Sequence, residues 1–288
     1  MDEFLDQGDD LIRFGVFAVV FLVMAAVEFA WPKRKLLASK GRRWFTNIGI
    51  SVTAGVLIRV MALAVVPIAA VAAAFYAEGH QIGLLNQVSW PAWVKVVISL
   101  VLLDLAIWAQ HLVSHKIPVL WRLHKVHHAD RDIDVTTAVR FHPIEIGLSM
   151  LWKIVVVLVL GAPPLAVFLF EVILNACAMF NHANVALPVW ADRILRLVIV
   201  TPDMHRVHHS VLRNEHDTNY GFNLSLWDRL FRTYTAQPQG GHQGMTIGLT
   251  PYQSDEPTKL GWSLILPFRR APSPRLEPSS GPPPSTRR

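Results

Sequence analysis

Cysteine is nearly absent from this chain, which contains a single thiol, Cys177, and this excludes two kinds of site. One cysteine cannot form a disulfide within the chain, and it cannot supply the several thiolates of a cysteine-based zinc site. Because Cys177 lies inside an apolar run, we expect it to be a buried structural thiol. A metal site in this protein therefore has to be built from other ligands.

Charged residues are also scarce: they make up 17% of the chain, whereas a soluble domain has about a quarter. Hydrophobic residues make up 52%, which predicts a membrane protein. The formal net charge is +6, but lysine and arginine are concentrated in a short connection and in the C-terminal tail, next to apolar segments. Lipid headgroups are therefore the expected partner of these cations, and nucleic acid is not.

Four apolar segments are long enough to enter a bilayer, whose hydrocarbon core takes about 20 helical residues to cross. They cover about residues 13–31, 47–76, 93–113 and 146–180. The last is interrupted by Gly161, Pro163 and Pro164 and is predicted to form a hairpin of two short helices. The first lacks a small-residue cleavage site, so a signal peptide is the weaker interpretation.

The charges beside the first segment predict its orientation. The connection that follows it is short and basic, and the positive-inside rule places such a loop in the cytoplasm. The acidic N-terminus then lies outside, and counting the later segments places every histidine group and the C-terminus on the cytoplasmic face. The predicted fold class is an all-α integral membrane protein with about four to five transmembrane or hairpin helices and a cytoplasmic, histidine-rich helical cap. The cations are Lys33, Arg34, Lys35, Lys40, Arg42 and Arg43, and the N-terminal acids are Asp2, Glu3, Asp6, Asp9 and Asp10.

Eight of the 13 histidines fall into three tight groups. Residues three and four apart share one face of a helix, so each group directs its imidazoles toward one point. Eight imidazoles exceed the four ligands of a tetrahedral zinc ion, and their number indicates two metal ions. The groups are HLVSH with His111 and His115, HKVHH with His124, His127 and His128, and HRVHH with His205, His208 and His209.

Further polar residues lie at the level of these groups. His142 in RFHPIE, His182 in NHAN and His216 in EHDTNYG are candidates for metal binding or for support of a ligand. Asp104 lies two helical turns before His111 and is a candidate to orient its imidazole, with a helix–helix hydrogen bond as the alternative. Asn219 and Asp228 are expected either to fix the C-terminal lobe or to contact the metal, and the isolated His80 and His242 are expected in loops or at the surface.

The segment between the last two histidine motifs is predicted to lie at the membrane interface. In Trp190–Val200 the apolar side chains share one side and the charges lie elsewhere, which is typical of an interfacial helix. Thr201 and Pro202 then predict the start of a new helix, with Thr201 as N-cap and the histidines of HRVHH in its first turns.

Seven motifs in order resemble the fatty acid hydroxylase and sterol desaturase superfamily of membrane di-iron enzymes. They are HLVSH, HKVHH, RFHP, NHANV, TPDMHRVHHS, NYG and LWDRLF, and the resemblance covers about residues 104–234. It implies a helical membrane protein whose cytoplasmic cap holds two irons in histidine boxes and uses O2 to hydroxylate or desaturate a lipid. By this resemblance the metal ligands are His111, His115, His124, His127, His128, His182, His205, His208 and His209.

Two features depart from the pattern of that family. Arg232 in FRTY stands where the family commonly has glycine, so a different turn is expected after Phe231. His182 has Asn184 nearby but no further histidine before the next proline. We therefore consider Asn184, His142 and water as replacements in the coordination of one metal.

The leading hypothesis is an O2-dependent di-iron oxygenase that hydroxylates or desaturates a sterol-like, fatty acyl or ether lipid. Its cofactors are two iron ions, which zinc can replace on overexpression, and O2 is the co-substrate. No haem-binding domain is visible in the sequence, so electrons are expected from a separate reductase, ferredoxin or cytochrome-type protein. Trp108, Trp121, Phe141 and Trp152 are candidates for lining a substrate channel.

Two other classes of function remain open from the sequence. The same histidines suit a zinc-binding membrane protein or a metal transporter, although a transporter is expected to carry its ligands at mid-bilayer. A membrane hydrolase is disfavoured because no serine or cysteine nucleophile motif is present. The predicted organisation is N-terminal transmembrane helices over residues 1–92, a catalytic domain over 93–235, an extension over 236–268 and a disordered basic tail over 269–288.

Overall fold

The computed structural model describes residues 2–64 and 69–270, with side chains placed for residues 11–61 and 69–270. This part of the chain is mostly helical and contains no β-strand. Its α-helices are α1 (Asp2–Ala30), α2 (Lys40–Ala64), α3 (Ala70–Gly79), α4 (Ala92–Lys116), α5 (Pro118–His128), α6 (Pro143–Leu160), α7 (Pro164–His182), α8 (Val189–Leu195), α9 (Pro202–His208), α10 (Arg213–His216), α11 (Leu226–Leu230), α12 (Gly241–Gly244) and α13 (Leu260–Ile265). Short 3₁₀ helices cover Leu84–Gln87, Val135–Val139, Thr250–Tyr252, Glu256–Thr258 and Leu266–Phe268. The predicted tail lies outside the described residues, apart from its first two positions.

Five of these helices, α1, α2, α4, α6 and α7, are long and apolar enough to cross a membrane. The predicted all-α membrane fold is thereby confirmed. The predicted break in the fourth apolar segment is also confirmed, because α6 ends before Gly161 and α7 begins at Pro164. Gly161 has a φ of +64°, a conformation that a side chain would strain, and it reverses the chain between the two helices.

The second apolar segment differs from the prediction of one continuous span over residues 47–76. The structure has a long α2 and a separate ten-residue α3. The sequence between them contains Pro67, which has no backbone N–H to donate and disfavours a continuous helix. The membrane-length element is therefore α2 alone.

The long helices pack around α7. Helices α1, α3 and α4 contact it, and α6 contacts α2, α3 and α4. The core between them is formed by Leu103, Ile107, Val157, Phe170 and Met179, all of them buried. Many other apolar side chains of these helices face outward, which is the arrangement expected when lipid surrounds the bundle.

The basic connection after α1 lies at the histidine end of the bundle. The Lys33 ammonium lies 2.7 Å from the Asp203 carboxylate in α9, and the Arg34 guanidinium donates to the Met245 carbonyl at 2.8 Å. Glu28, in the last turn of α1, accepts from the backbone N–H of Asn184 at 2.8 Å. The basic loop and the histidine motifs therefore share one end of the bundle, as the charge pattern predicted.

A fully buried polar network holds the connection between α5 and α6. The Arg43 guanidinium of α2 donates to Asp130 at 2.8 Å, and the Arg140 guanidinium donates to the Val126 carbonyl at 2.8 Å and to the Asn47 side chain at 2.6 Å. Burial by itself would raise the pKa of Asp130, but the adjacent Arg43 lowers it below its ordinary value. This network fixes the end of α5, which carries three of the histidines.

The interfacial segment is helical over a shorter range than the predicted Trp190–Val200. Helix α8 ends at Leu195, where the Arg196 guanidinium pairs with the buried Asp192 carboxylate. Trp190 and Ile194 are nevertheless exposed together, as the periodicity predicted. The chain then turns to begin α9.

Candidate metal centre

Four helices bring nine histidines to one end of the bundle. Helices α4 and α5 are separated by one residue, Ile117, and the rings of His115 and His124 lie with their centroids 4.9 Å apart. Helix α7 ends at His182, and α9 follows after α8. The N-cap of α9 is Thr201, whose hydroxyl accepts from the Met204 backbone N–H at 3.3 Å, as predicted. The nine residues are His111 and His115 from α4, His124, His127 and His128 from α5, His182 from α7, His205 and His208 from α9, and His209 directly after α9.

The imidazoles form two adjacent groups. The first histidine group is His111, His115, His124, His128 and His208, and the second histidine group is His127, His182, His205 and His209. Within each group the possible ligand nitrogens all lie within 4.8 Å of one another, and every member is buried.

Short nitrogen–nitrogen distances show how closely the rings converge. The Nε2 atoms of His111 and His124 lie 3.1 Å apart in the first group. In the second group the Nε2 atom of His182 lies 3.2 Å from that of His127 and 3.1 Å from that of His205. The two groups also touch, because the rings of His128 and His209 stack with centroids 4.7 Å apart.

Several of these imidazoles have a nitrogen that is oriented by a neighbouring oxygen. Because an oxygen of this kind can only accept, the Nδ1 atom carries the proton and Nε2 presents its lone pair to the centre of the group. Three of these nitrogens donate to backbone carbonyls: Nδ1 of His111 to Tyr220 at 2.7 Å, Nδ1 of His182 to Ala178 at 2.7 Å, and Nδ1 of His208 to Thr218 at 2.6 Å. The fourth, Nδ1 of His124, donates to the Glu145 carboxylate at 2.6 Å.

Other nitrogens of the two groups are buried without a hydrogen-bond partner among the described residues. They include both ring nitrogens of His115, His128 and His209, and Nε2 of His208. A buried polar atom without a partner costs free energy, typically about 1–3 kcal/mol. A metal ion at the centre of each group would accept one lone pair from each imidazole, so the residues present fit such ions.

The protonation state of the histidines in α5, in α9 and directly after α9 also fits a metal. Burial, and then neighbouring imidazoles, hold the pKa values of His127, His128, His205, His208 and His209 well below the ordinary value of about 6.5. These rings are therefore neutral at physiological pH, the form that binds metal. An all-imidazole set of nitrogen ligands suits iron, zinc, copper and nickel.

The hydrogen bonds of Asp104 differ from the contact with the His111 imidazole that we considered from the sequence. It does not contact His111; its carboxylate accepts from the Trp227 indole N–H at 2.8 Å and from the Leu224 backbone N–H at 3.2 Å. Asp228 accepts from the backbone N–H of Tyr220 at 2.9 Å. Both carboxylates therefore fix the loop whose Tyr220 carbonyl orients His111.

The remaining sequence candidates lie outside the two groups. His142 caps α6, where its ring accepts from the Ile144 backbone N–H at 3.3 Å. The Asn184 side chain bonds the backbone of Arg34. Asn219 donates to the Met204 carbonyl at 2.9 Å and so supports α9. Neither His142 nor Asn184 is a member of either histidine group.

His216 lies beside the first group and not within it. Its ring stacks on Trp121 with centroids 5.5 Å apart, and together with His115 and Asp217 it forms a third cluster of possible ligand atoms. This third cluster overlaps the first group at His115.

Sequence reasoning missed Glu145 as a partner of the histidines. Its only signal was a carboxylate in the first turn of an apolar helix, three residues after His142. The hydrogen bond to His124 depends on how α6 packs against α5, which the sequence does not state.

A cavity of about 530 Å³ reaches the first histidine group from within the bundle. His111 and His124 form part of its wall, and Phe141 and Phe222 lie beside them. Of the four aromatic residues expected to line a channel, Phe141 does so, whereas Trp108 packs against Tyr220 and Trp121 stacks on His216. Trp152 lines a smaller neighbouring cavity of about 240 Å³.

The part of the chain that carries the histidine groups is similar to known proteins. Residues 96–233 match the fatty acid hydroxylase family. This segment contains all nine histidines of the two groups and covers just under half of the chain, so the central part of the chain is similar to this family.

Three relatives illustrate the similarity. Ornithine lipid hydroxylase OlsE of Rhizobium tropici is 34% identical over 162 residues, which are 56% of this chain and 47% of the relative. Alkylglycerol monooxygenase of Homo sapiens is 29% identical over 258 residues, 89% of this chain and 54% of the relative. Cholesterol 25-hydroxylase of Mus musculus is 29% identical over 144 residues, 50% of this chain and 47% of the relative. The chain thus spans about half the length of the curated relatives it matches. No solved structure gave a significant match to the chain.

Proposed function

We propose that this protein is an O2-dependent di-iron oxygenase that hydroxylates or desaturates a membrane lipid. The observation that carries the proposal is the pair of adjacent all-histidine groups, five and four imidazoles, at the end of a membrane bundle. The names of the relatives support it, since they are a hydroxylase of ornithine lipid, a monooxygenase of alkylglycerol and a hydroxylase of cholesterol.

The nine histidines are the proposed iron ligands, with one ion in each group. When bound, iron in such a site would supply the electrons and the activation of O2 that oxidation of an unreactive C–H bond needs. The remaining electrons would come from a separate donor protein. We assign the catalytic part to residues 93–235, which contain all nine ligands.

The other residues of the site orient ligands and bring the substrate to them. Glu145 and the carbonyls of Tyr220, Ala178 and Thr218 fix the tautomer of four imidazoles, which keeps Nε2 directed inward. The cavity brings a lipid chain to His111 and His124, and the apolar rings beside them exclude water from the reacting carbon.

We further propose that the histidine end and the C-terminus face the cytoplasm and that the N-terminus lies outside. The short basic loop after α1, at the histidine end of the bundle, supports this orientation. A cysteine introduced at Lys35 in a Cys177→Ala background would test it. Labelling of Lys35→Cys by a membrane-impermeant reagent in intact cells would contradict the orientation.

Metal identity and O2 dependence test the central proposal. The protein is expressed in iron-enriched medium and purified in mild detergent, and elemental analysis is combined with Mössbauer spectroscopy. Two coupled irons per chain and lipid oxidation that requires O2 and a reductant are expected. One tightly held zinc ion per chain, with no O2 consumption, would refute the oxygenase and favour the zinc-binding alternative.

The position of the ligands disfavours a metal transporter. His111 and His115 lie in the last two turns of α4, and His182 is the last residue of α7. Transporters bind their ions near the bilayer midplane, on interrupted helices. The two histidine groups lie at the ends of continuous helices instead.

A further inference from the structure

The wall of the larger cavity contains two cationic side chains that metal binding does not use. They are Arg59 of α2 and Lys153 of α6. Neither α2 nor α6 contributes a member of the two histidine groups. Cations in apolar membrane helices are costly, and they are generally retained because they pair with another group or serve a function.

Lys153 shares its counter-ion with a second cation. Its ammonium lies 2.8 Å from one oxygen of the Glu171 carboxylate, whose other oxygen lies 2.8 Å from the Arg13 guanidinium. One carboxylate therefore faces two cations, and this cluster carries a net positive charge.

Arg59 adds a further positive charge to the wall of the cavity. No carboxylate lies within ion-pair distance of its guanidinium in the part of the chain whose side chains are placed, although the side chain lines the cavity. Some neutral polar groups of the wall are already paired, because the Ser149 hydroxyl donates to Gln110 at 3.2 Å and Asn175 donates to the Glu171 carbonyl at 2.9 Å. Arg59 and Lys153 are thus the groups of this wall to which a negatively charged ligand would bind.

Lys153 is separated from the level of the histidines along α6. Glu145 holds His124 at one level of this helix, and Lys153 lies eight residues further on. At 1.5 Å per residue the two levels are about 12 Å apart along the helix axis. Between them the wall includes the apolar side chains of Ile146 and Met150.

We propose that Arg59 and Lys153 bind a negatively charged group of the substrate, so that the oxidised carbon lies in its hydrocarbon chain, about 12 Å from the level of Lys153 along α6. The substrate class is an anionic lipid, in which a carboxylate or a phosphate supplies the charge. The position of oxidation rests on the proposed function given above, whereas the binding of the anion does not depend on it.

Equilibrium binding of three lipids of equal chain length tests the site. Hexadecanoic acid, hexadecyl phosphate and hexadecan-1-ol are measured on the metal-loaded protein in detergent, at a pH where the acid is ionised. A charged hydrogen-bonded contact predicts that the anions bind tighter than the alcohol by on the order of tenfold. The ratio of acid to phosphate identifies the preferred anion. Equal affinity for all three lipids would overturn the proposal without any variant.

Substitutions locate the charge that causes the selectivity. Arg59→Gln, and independently Lys153→Gln, should weaken binding of the preferred anion by on the order of tenfold and leave the alcohol unchanged, whereas Arg59→Lys should retain most of the affinity. Arg42→Gln is the matched control, because Arg42 is exposed on the same helix and does not line the cavity. An equal loss for acid and alcohol in the cavity variants would indicate a purely structural role and contradict the site.

Oxidation of the same lipids separates this proposal from the function on which it rests. Anion-selective binding without O2-dependent oxidation would support the anion site and refute the oxygenase. Oxidation with no preference for the anions would support the oxygenase and refute the anion site. Where anionic lipid is oxidised, mass spectrometry of the product is expected to place oxygen or a double bond away from the charged end, and a product modified next to the carboxylate would contradict the geometry.

Discussion

The Glu145 carboxylate lies 2.6 Å from Nδ1 of His124, and both residues are buried. The carboxylate accepts the Nδ1 proton, so Nε2 of His124 faces Nε2 of His111 inside the first histidine group. A carboxylate behind a ligand imidazole fixes the ring and raises its basicity. The first turn of α6 therefore supports a proposed metal ligand carried by α5.

Glu145→Ala is expected to weaken metal binding at the first histidine group. Loss of such a supporting partner costs roughly 10–100-fold in metal affinity. Competition with a chelator, followed by elemental analysis, measures this change. Glu78→Ala removes an exposed carboxylate of α3 and serves as the control. Unchanged metal retention in Glu145→Ala would show that the hydrogen bond to His124 does not support a ligand.

His127→Ala and His208→Ala are expected to reduce metal content and abolish turnover while the helices remain folded. His127 belongs to the second group and His208 to the first, so each variant removes a ligand from a different centre. Metal analysis and circular dichroism are measured on the same preparation. His80→Ala is the matched control, since His80 is exposed at the end of α3. Full activity in either ligand variant would refute the oxygenase assignment.

Arg232→Gly is expected to stabilise the protein. Arg232 has a φ of +60°, a left-handed conformation in which a side chain is strained by about 1–2 kcal/mol. The greater flexibility of glycine in the unfolded chain offsets about 0.5–1 kcal/mol of this gain. A small rise in the thermal unfolding midpoint should follow, and Arg232→Ala, which keeps the Cβ atom, should give none. A lower midpoint for Arg232→Gly would contradict the strained conformation.

Acid is expected to destabilise the metal-free protein between about pH 7 and pH 5. Burial holds the pKa values of His127, His128, His205 and His209 below the ordinary value of about 6.5, so the unfolded chain binds more protons than the folded chain in this range. Stability then falls as the pH falls, by at most about 1.4 kcal/mol per pH unit for each such histidine.

Thermal unfolding of the chelator-treated protein measures this dependence. Above about pH 7.5 these imidazoles are neutral in both folded and unfolded states, so the midpoint should not change there because of them. A midpoint that stays constant from pH 7 to pH 5 would mean that the rings are not held neutral by the fold.

The sequence alone determined much of the fold. Apolar segments of membrane length, together with Gly161 and Pro164, predicted the helical bundle and the α6–α7 hairpin, because bilayer thickness and backbone chemistry act on local sequence. The prediction of one span over residues 47–76 overlooked Pro67, and the predicted helix over Trp190–Val200 extended past the end of α8, where the local signal was weak. Arg232 was expected to change the turn after Phe231, yet the structure keeps the left-handed conformation that glycine would favour, because the turn is fixed by the Thr233 N–H bonded to the Asp228 carbonyl at 2.8 Å.

Helical spacing also identified most residues of the candidate metal centre, since imidazoles three and four positions apart share a face of a helix. Only the tertiary structure divided nine histidines into groups of five and four, because that division depends on how α4, α5, α7 and α9 approach one another. Only the tertiary structure, likewise, placed Glu145 beside His124 and brought the cations Arg59 and Lys153 into one cavity wall. These residues are distant in sequence, and contacts between helices are set by packing, which no local pattern of residues specifies.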